Sequence, residues 1–273
     1  MCGRYATTRS ATDLSAFFEA YDVTSGLDAD YNVAPTDPVP VVRMSQGRGA
    51  RVLDTARWGL VPPWATDLRG GARMINARSE TVATSRAFGP SFARRRCLVP
   101  ADGWFEWVRD GRARQAFYLT PSDGSVLAFA GLWSTWSGGT RTGGSGATGG
   151  GATGGGVAGG DERAGAAEQE RLITCSVLTT AALGELTRVH ERMPLILSAD
   201  RWEQWLAGGG DAGELLRPPS AREVAAIELR PVGAAVGNVR NNGPDLVKRI
   251  DRVNDHFESA AGVVGFPTEA TLF

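Results

Sequence analysis

Apolar and polar positions along the chain form short segments rather than long amphipathic stretches. Runs of β-branched and aromatic residues indicate strands, because these side chains fit a pleated, half-buried surface. Five such runs predict strands over 97–99, 104–108, 117–119, 126–133 and 172–178. Proline and glycine clusters separate the runs at intervals of roughly ten to twenty residues, which is typical of one loop-rich domain containing β-structure.

Helices are predicted in three segments. We expect helices near 12–20, capped by Thr12 or Asp13, near 199–206, capped by Ser198, and over 220–227. Residues 138–160 contain 13 glycines in 23 positions and cannot bury enough apolar surface to offset the entropy of ordering. We therefore interpret 138–168 as a flexible insertion in one domain spanning 2–255, and 259–273 as a disordered tail.

Composition indicates a globular protein with balanced charge. The 273 residues are 42% hydrophobic and 22% charged, with 29 basic and 30 acidic residues. Residues 57–114 nevertheless contain 11 arginines and 5 acidic residues, an excess of 11 − 5 = +6. No apolar run reaches the ~18 residues of a membrane span. Three unclustered cysteines do not make a disulfide framework, so we expect a cytoplasmic protein that needs no membrane.

Cys2 is the first candidate for chemistry, because it follows the initiator methionine. Removal of Met1 exposes an α-amine with a pKa of ~7.7–8.0 beside a thiol with a pKa of ~8.5, so both are partly reactive at neutral pH. Such a 1,2-aminothiol condenses with an aldehyde to a Schiff base, and the thiol then closes a stable five-membered thiazolidine. The alternative is that Cys2 merely belongs to a frayed terminus.

His190 is the second candidate and opens the run HERMP at 190–194. The second histidine of a zinc-protease motif is missing from this run, and Pro194 would break the helix that the motif requires. The chain also has no CxxC pair, so we expect no metal site. His190 is a candidate proton shuttle, and the alternative is a hydrogen-bonded structural histidine.

Two further polar residues are candidates because of their neighbours. Glu106 is flanked by aromatic residues in WFEW at 104–107, which favours a raised pKa and general acid–base work. The alternative is that Glu106 points into water from the wet face of a strand. Asn76 is either a turn residue or an amide that orients a substrate. Cys97 and Cys175 have the surroundings of small buried hydrophobes.

Arginines and tryptophans together suggest a surface for single-stranded nucleic acid, with guanidinium groups on phosphates and indole rings stacked on bases. The alternative is that the tryptophans fill the core and the arginines are solvated. The residues in question are Arg4, Arg73, Arg78, Arg86, Arg94, Arg95, Arg96, Trp58, Trp64, Trp104 and Trp107.

Seven motifs occur in order along the chain, from residue 2 to about 248 apart from the insertion. They are MCGRY at 1–5, YNVAP at 31–35, RWGLVP at 57–62, INARSET at 75–81, ADGWFEW at 101–107, HERMP at 190–194 and AVGNVRN at 235–241. In these motifs the sequence closely resembles the SOS-response-associated peptidase (SRAP) family of abasic-site processing proteins.

The resemblance implies a single compact α+β domain built on curved, barrel-like β-sheets with flanking helices, and a groove for single-stranded DNA. It implies removal of Met1, attack of Cys2 on the aldehyde of an abasic site, and a thiazolidine crosslink to DNA. It places Asn76, Glu106 and His190 around Cys2. Its motifs also put four residues near the DNA, namely Arg4, Arg78, Trp107 and Arg192. The resemblance adds Thr179, from the segment LTT at 178–180 outside these motifs, and we add Trp64 as a stacking residue.

These implications predict a DNA-repair protein of the SOS response. We expect it to be a cytoplasmic monomer without cofactor or metal that associates with the nucleoid during DNA damage. Autoproteolysis at Met1 and weak abasic-site lyase activity are expected beside the crosslink. Two alternatives stay open: an N-terminal-nucleophile amidohydrolase or cysteine peptidase, and a non-catalytic module that binds single-stranded DNA.

Overall fold

The computed structural model describes residues 2–138 and 171–250. The tail predicted at 259–273, and the predicted insertion apart from residue 138, lie outside these ranges. The strands of the described part are β1 (Tyr5–Thr7), β2 (Tyr21–Asp22), β3 (Asp30–Val33), β4 (Pro38–Ser45), β5 (Ala50–Trp58), β6 (Asn76–Arg78), β7 (Arg96–Ala101), β8 (Gly103–Asp110), β9 (Ala113–Pro121), β10 (Leu127–Trp136), β11 (Leu172–Ala181), β12 (Arg192–Pro194) and β13 (Ile227–Val232).

Helices are short and connect or cover the strands. The α-helices of the described part are α1 (Ala11–Phe18), α2 (Gly89–Arg94), α3 (Ala199–Leu206), α4 (Ala212–Leu215) and α5 (Ala221–Ala225). Single 3₁₀ turns occupy Arg69–Arg73, Gly184–Arg188, Ala234–Gly237 and Pro244–Val247. Among the described residues, none of these helices has the length and apolar composition that crossing a bilayer requires.

Five strands close into a β-barrel. Antiparallel pairing joins β5, β4, β7, β10 and β11 in that order. A parallel pairing of β11 with β5, in which Cys175 lies opposite Trp58, closes the ring. Closure leaves the barrel without free edges between these strands. Beyond β5, the same edge of β11 pairs with β6, and β12 pairs with β11 near residue 180.

A second sheet, in the order β13-β9-β8-β1-β3, contributes one face to the same core as the barrel. Side chains alternate across β8, so Trp104 enters this shared core while Phe105 belongs to a separate cluster on the opposite face. The shared core also takes Trp58, Phe129 and Val177 from the barrel strands. Helices α1 and α3 cover the outside of the barrel, where Phe18 packs against Trp202.

The α+β class and the barrel-like sheet are confirmed. Each of the five predicted strands overlaps an observed strand, although β10 begins at Leu127 and not at residue 126. Two helix predictions need correction. Helix α1 is capped by Ser10, whose hydroxyl accepts from the Asp13 backbone N–H, and not by Thr12 or Asp13. The helix predicted over 220–227 ends at Ala225, because Ile227 already pairs with β9.

Candidate active site

Cys2 is held inside the molecule by strand pairing. In the antiparallel pair of β1 and β8, Tyr5 lies opposite Trp104, and the Arg4 carbonyl accepts from the backbone N–H of Phe105 at 2.9 Å. Residues just before β1 therefore run alongside the later part of β8. Cys2 is only 4% exposed and belongs to the core between the two sheets. It is a packed residue and not part of a frayed terminus.

Glu106 shares the inward face of β8 with Trp104 and is 3% exposed. The interpretation of Glu106 as a solvated side chain is therefore wrong, because both faces of β8 are covered at this point. Burial raises the pKa of the Glu106 carboxyl, and this effect is partly opposed by a hydrogen bond with Cys2 and by the charge of His190. A carboxyl of this kind can carry a proton at higher pH than an exposed one.

The Cys2 thiol is in hydrogen-bonding contact with Glu106. Burial raises the pKa of this thiol well above its ordinary value, and the negative charge of Glu106 raises it further. The thiol therefore stays protonated at neutral pH. The Glu106 carboxylate can accept the thiol proton. The sulfur is therefore activated by general-base catalysis during the reaction, and not by forming a thiolate beforehand.

Asn76 lies in β6, beside Val177 of β11, and not in a turn. Its side-chain Nδ2 donates to the Cys2 carbonyl oxygen at 2.8 Å, across 74 residues of sequence. Its Oδ1 is buried and has no hydrogen-bond partner within the ranges 2–138 and 171–250. Asn76 thus fixes the backbone of Cys2 with one half of its amide and keeps an acceptor for another group with the other half.

His190 follows the 3₁₀ turn Gly184–Arg188 and precedes β12. Its Nδ1 accepts from the backbone N–H of Arg192 at 2.9 Å. Nδ1 therefore carries a lone pair, and in the neutral ring the proton sits on Nε2, where it can be donated. The influence of His190 on the pKa of Glu106 shows that the two side chains interact electrostatically. The structure thus brings Cys2, Asn76, Glu106 and His190 into one interacting set.

Three of the six predicted DNA contacts are accessible. Arg78 is exposed and shares a face of β6 with Asn76, because the two are separated by one residue of a strand. Trp64 is 54% exposed. Trp107 is partly buried, and the Arg114 guanidinium lies 4.5 Å from the centre of its ring. Arg114 was not among the predicted contacts, although it adds positive charge beside a ring that can stack on a base.

The other three are engaged within the protein. Arg192 forms a two-pronged ion pair with Glu80, with N–O distances of 2.5 and 3.0 Å, and also donates to the Thr179 carbonyl. Thr179 is buried beneath it. Arg4 donates to Asn32 Oδ1 at 2.7 Å. The sequence patterns predicted no role for Glu80 or Asn32, although Glu80 lies in the motif INARSET and Asn32 in the motif YNVAP.

Part of the predicted nucleic-acid set does not belong to this site. Trp58 and Trp104 are buried in the core and cannot stack on a base. Arg96 is buried as well, and its guanidinium donates to backbone carbonyls, including those of Trp205 and Gly209. Within the described residues, no group of three or more histidine, cysteine or acidic side chains is arranged to hold a metal ion.

Comparisons with known proteins agree with one another. The family model "SOS response associated peptidase (SRAP)" matches residues 1–239. The chain is 30% identical to the abasic site processing protein YedK of Escherichia coli (strain K12), over 92% of this chain and 100% of that protein. It is 30% identical to the abasic site processing protein YoaM of Bacillus subtilis (strain 168), over 90% and 97%.

Solved structures show the same fold. A crystal structure of a protein from Bacteroides thetaiotaomicron superposes with a TM-score of 0.71 at 21% identity, over 91% of this chain and 100% of the other. A second, from Bordetella bronchiseptica, gives 0.62 at 21% identity over 85% of this chain. At 21% identity, this structural similarity is evidence for the fold alone.

Proposed function

The chain belongs to the SOS response associated peptidase family, and we propose that it processes abasic sites in single-stranded DNA by forming a covalent thiazolidine through Cys2. The observation that carries the proposal is the pairing of the buried Cys2 thiol with the Glu106 carboxyl, while Asn76 holds the Cys2 carbonyl at 2.8 Å. Similarity to proteins named for abasic-site processing supplies the substrate class.

The first step is hydrolysis of the Met1–Cys2 peptide bond, which consumes one water and frees the Cys2 amine. We assign this step to the chain itself. The Cys2 thiol adds to the Met1 carbonyl carbon, the C–N bond breaks, the amine takes up the proton, and water cleaves the resulting thioester. Glu106 accepts the thiol proton during the attack, and Asn76 keeps the residue from swinging away.

Crosslinking then needs Glu106 to move protons at two stages, opening of the sugar and closure of the thiazolidine. Glu106 in its protonated form, which burial favours, gives a proton to the ring oxygen of the closed abasic sugar. The bond between C1′ and the ring oxygen breaks, and the anomeric hydroxyl returns its proton to the Glu106 carboxylate, which leaves an aldehyde. The amine condenses with the aldehyde and releases one water. The thiol adds to the imine carbon, and its proton reaches the imine nitrogen through Glu106. No electrons are gained or lost overall. His190 donates from Nε2 to a sugar oxygen and steadies it during these steps.

A strand-cleaving side path follows from the same imine. Before the ring closes, the imine acidifies the neighbouring carbon, and β-elimination expels the 3′ phosphate, which is a weak lyase activity. Closure should outpace elimination because the thiol already lies next to the reacting carbon. The DNA strand is proposed to lie across Arg78, Trp64 and Trp107. Arg192 can bind a DNA phosphate once its ion pair with Glu80 is broken. We place the activity in a cytoplasmic monomer at damaged chromosomal DNA.

The raised pKa of the Cys2 thiol favours this function over an amidohydrolase. A hydrolase that attacks external amides gains from a thiolate at neutral pH, whereas here burial and Glu106 keep the thiol protonated. The aminothiol route uses the free amine as the first nucleophile toward the aldehyde. The sulfur acts only on carbons already attached to the Cys2 nitrogen, first the Met1 carbonyl carbon and later the imine carbon.

The test uses a single-stranded oligonucleotide with one abasic site and an intact one of the same sequence. The wild-type chain should give a denaturant-resistant protein–DNA band with the abasic strand alone, and Cys2→Ala should give none. Cys175→Ala, which removes another buried thiol, is the matched control and should retain the band. An undiminished band with Cys2→Ala would refute the linkage. Equal, denaturant-sensitive binding of both strands would indicate a non-catalytic DNA-binding protein. Turnover of small amides without a crosslinked band would indicate an amidohydrolase.

A further inference from the structure

A cavity of about 520 Å³ opens at the far end of the barrel from the candidate active site. We call it the distal arginine cavity. Its walls combine side chains from β4, α2, β7, β10 and the end of α3 with the residue that precedes β11. The lining residues that matter here are Arg43, Arg94, Arg95, Arg96, Trp133 and Arg171.

The distal arginine cavity is separate from the site of Cys2. Strand β11 connects the two regions: Arg171 precedes its first residue, whereas Val177 lies beside Asn76. Six residues of extended strand at ~3.3 Å each span roughly 20 Å. None of Cys2, Asn76, Glu106 and His190 lines the cavity.

Among the described residues, little negative charge compensates the positive charge of this cavity. Arg43 is paired with Asp54 at 2.5 Å. In the part of the chain that the structure describes, the other four arginines of the lining form no ion pair, and the lining contains no carboxylate. Like charges brought together in this way repel one another, so the arrangement favours binding of an anion.

The wall is also held in place before any ligand arrives. Arg96 is fixed by backbone carbonyls, with distances of 2.9 Å to Phe92 and 2.7 Å to Gly209. Arg43 and Arg95 lie 4.9 and 5.6 Å from the centre of the Trp133 ring. These contacts order part of the positive surface, which lowers the entropy that a ligand must remove. Arg94 and Arg171, by contrast, are exposed at the rim.

Guanidinium groups match phosphate in particular. Each offers a planar fork of N–H donors that binds two oxygens at once, and the volume lies in the range of roughly 300–1,000 Å³ that small ligands occupy. We propose that the distal arginine cavity binds phosphate groups, either of a nucleotide or of the backbone of a nucleic-acid strand. This inference does not depend on the chemistry proposed for Cys2.

The test is titration calorimetry on the full chain carrying Cys2→Ala, so that covalent capture does not interfere. The probes are inorganic pyrophosphate, a deoxynucleoside triphosphate and an unmodified oligothymidylate. Arg94→Gln with Arg171→Gln removes two exposed rim charges without disturbing the core. Arg217→Gln with Arg222→Gln removes two exposed arginines elsewhere and serves as the control. Each lost charge-assisted contact should weaken binding roughly tenfold or more.

The proposal expects the rim variant, and not the control, to lose affinity for at least one probe. Loss of affinity for pyrophosphate and the triphosphate identifies a nucleotide site. Loss of affinity for oligothymidylate alone identifies a site for the nucleic-acid backbone. Absence of binding by all three probes, or equal affinities of the rim and control variants, would overturn it. Abasic-site crosslinking by chains that retain Cys2 should be the same with either arginine pair, which separates failure here from failure of the proposed function.

Discussion

Cys2 and Cys175 belong to one hydrophobic core, yet they occupy chemically different regions of it. Both thiols are buried, and burial raises the pKa of each. Around Cys175, burial is the one cause of the raised pKa. Around Cys2, a carboxyl contacts the sulfur and an amide holds the backbone carbonyl. Burial alone makes a cysteine inert, and it is the added proton acceptor that turns the same burial into a reactive arrangement.

After loss of the Cys2 thiol itself, removal of the proton acceptor Glu106 should have the largest effect on the rate of crosslinking. Glu106→Gln keeps the size and polarity of the side chain but cannot exchange a proton. The rate of crosslinking should fall by roughly 10²–10⁴-fold, the usual contribution of general acid–base catalysis. Quenched time courses with abasic oligonucleotide measure it. Glu203→Gln, an exposed substitution on α3, is the control, and an unchanged rate in Glu106→Gln would show that Glu106 is only structural.

The same variant should change how stability depends on pH. Because burial raises the pKa of Glu106, the folded chain binds this proton more tightly than the unfolded chain does. The protonated Glu106 carboxyl therefore makes its full contribution to the free energy of unfolding below the ordinary pKa of glutamate. This contribution is lost as the pH rises through the raised pKa of the folded chain. Glutamine has no such proton, so Glu106→Gln should gain stability over wild type across this interval. Urea midpoints at several pH values test it, and a constant difference would contradict the raised pKa.

Sequence patterns predicted three of the five barrel strands, β7, β10 and β11, because β-branched runs reflect packing on both faces, and they missed β4 and β5. They did not distinguish buried Trp58 and Trp104 from exposed Trp64, since barrel closure, a long-range event, decides which ring faces the core. Glu106 posed the same problem: its neighbours suggested either burial or a wet face, and only the second cluster over β8 settles it. Of the four site residues, Cys2 and Asn76 meet across 74 positions, a distance that no local pattern reaches.

Removing the backbone anchor should have a smaller effect than removing the proton acceptor. Asn76→Ala deletes the donor to the Cys2 carbonyl and leaves that oxygen without this partner. One positioning hydrogen bond of about 1–1.5 kcal/mol corresponds to roughly a tenfold loss in crosslinking rate. Asn76→Asp keeps the shape but replaces the donor by an acceptor, and it should be at least as slow. If both variants crosslink at the wild-type rate, the hydrogen bond does not position Cys2 for the reaction.

The smallest effect on the reaction is expected in the apolar region of the core. Cys175→Ala removes a sulfur that packs near Trp58 in the closed barrel, and the cavity should cost on the order of 1 kcal/mol of unfolding free energy. Crosslinking by the folded variant should stay at the wild-type rate, because no proton moves through Cys175. Urea unfolding and the abasic-strand gel measure the two quantities separately. A variant that folds as stably as wild type but fails to crosslink would reverse the roles assigned to the two cysteines, since reactivity would then follow the apolar sulfur and not the one beside Glu106.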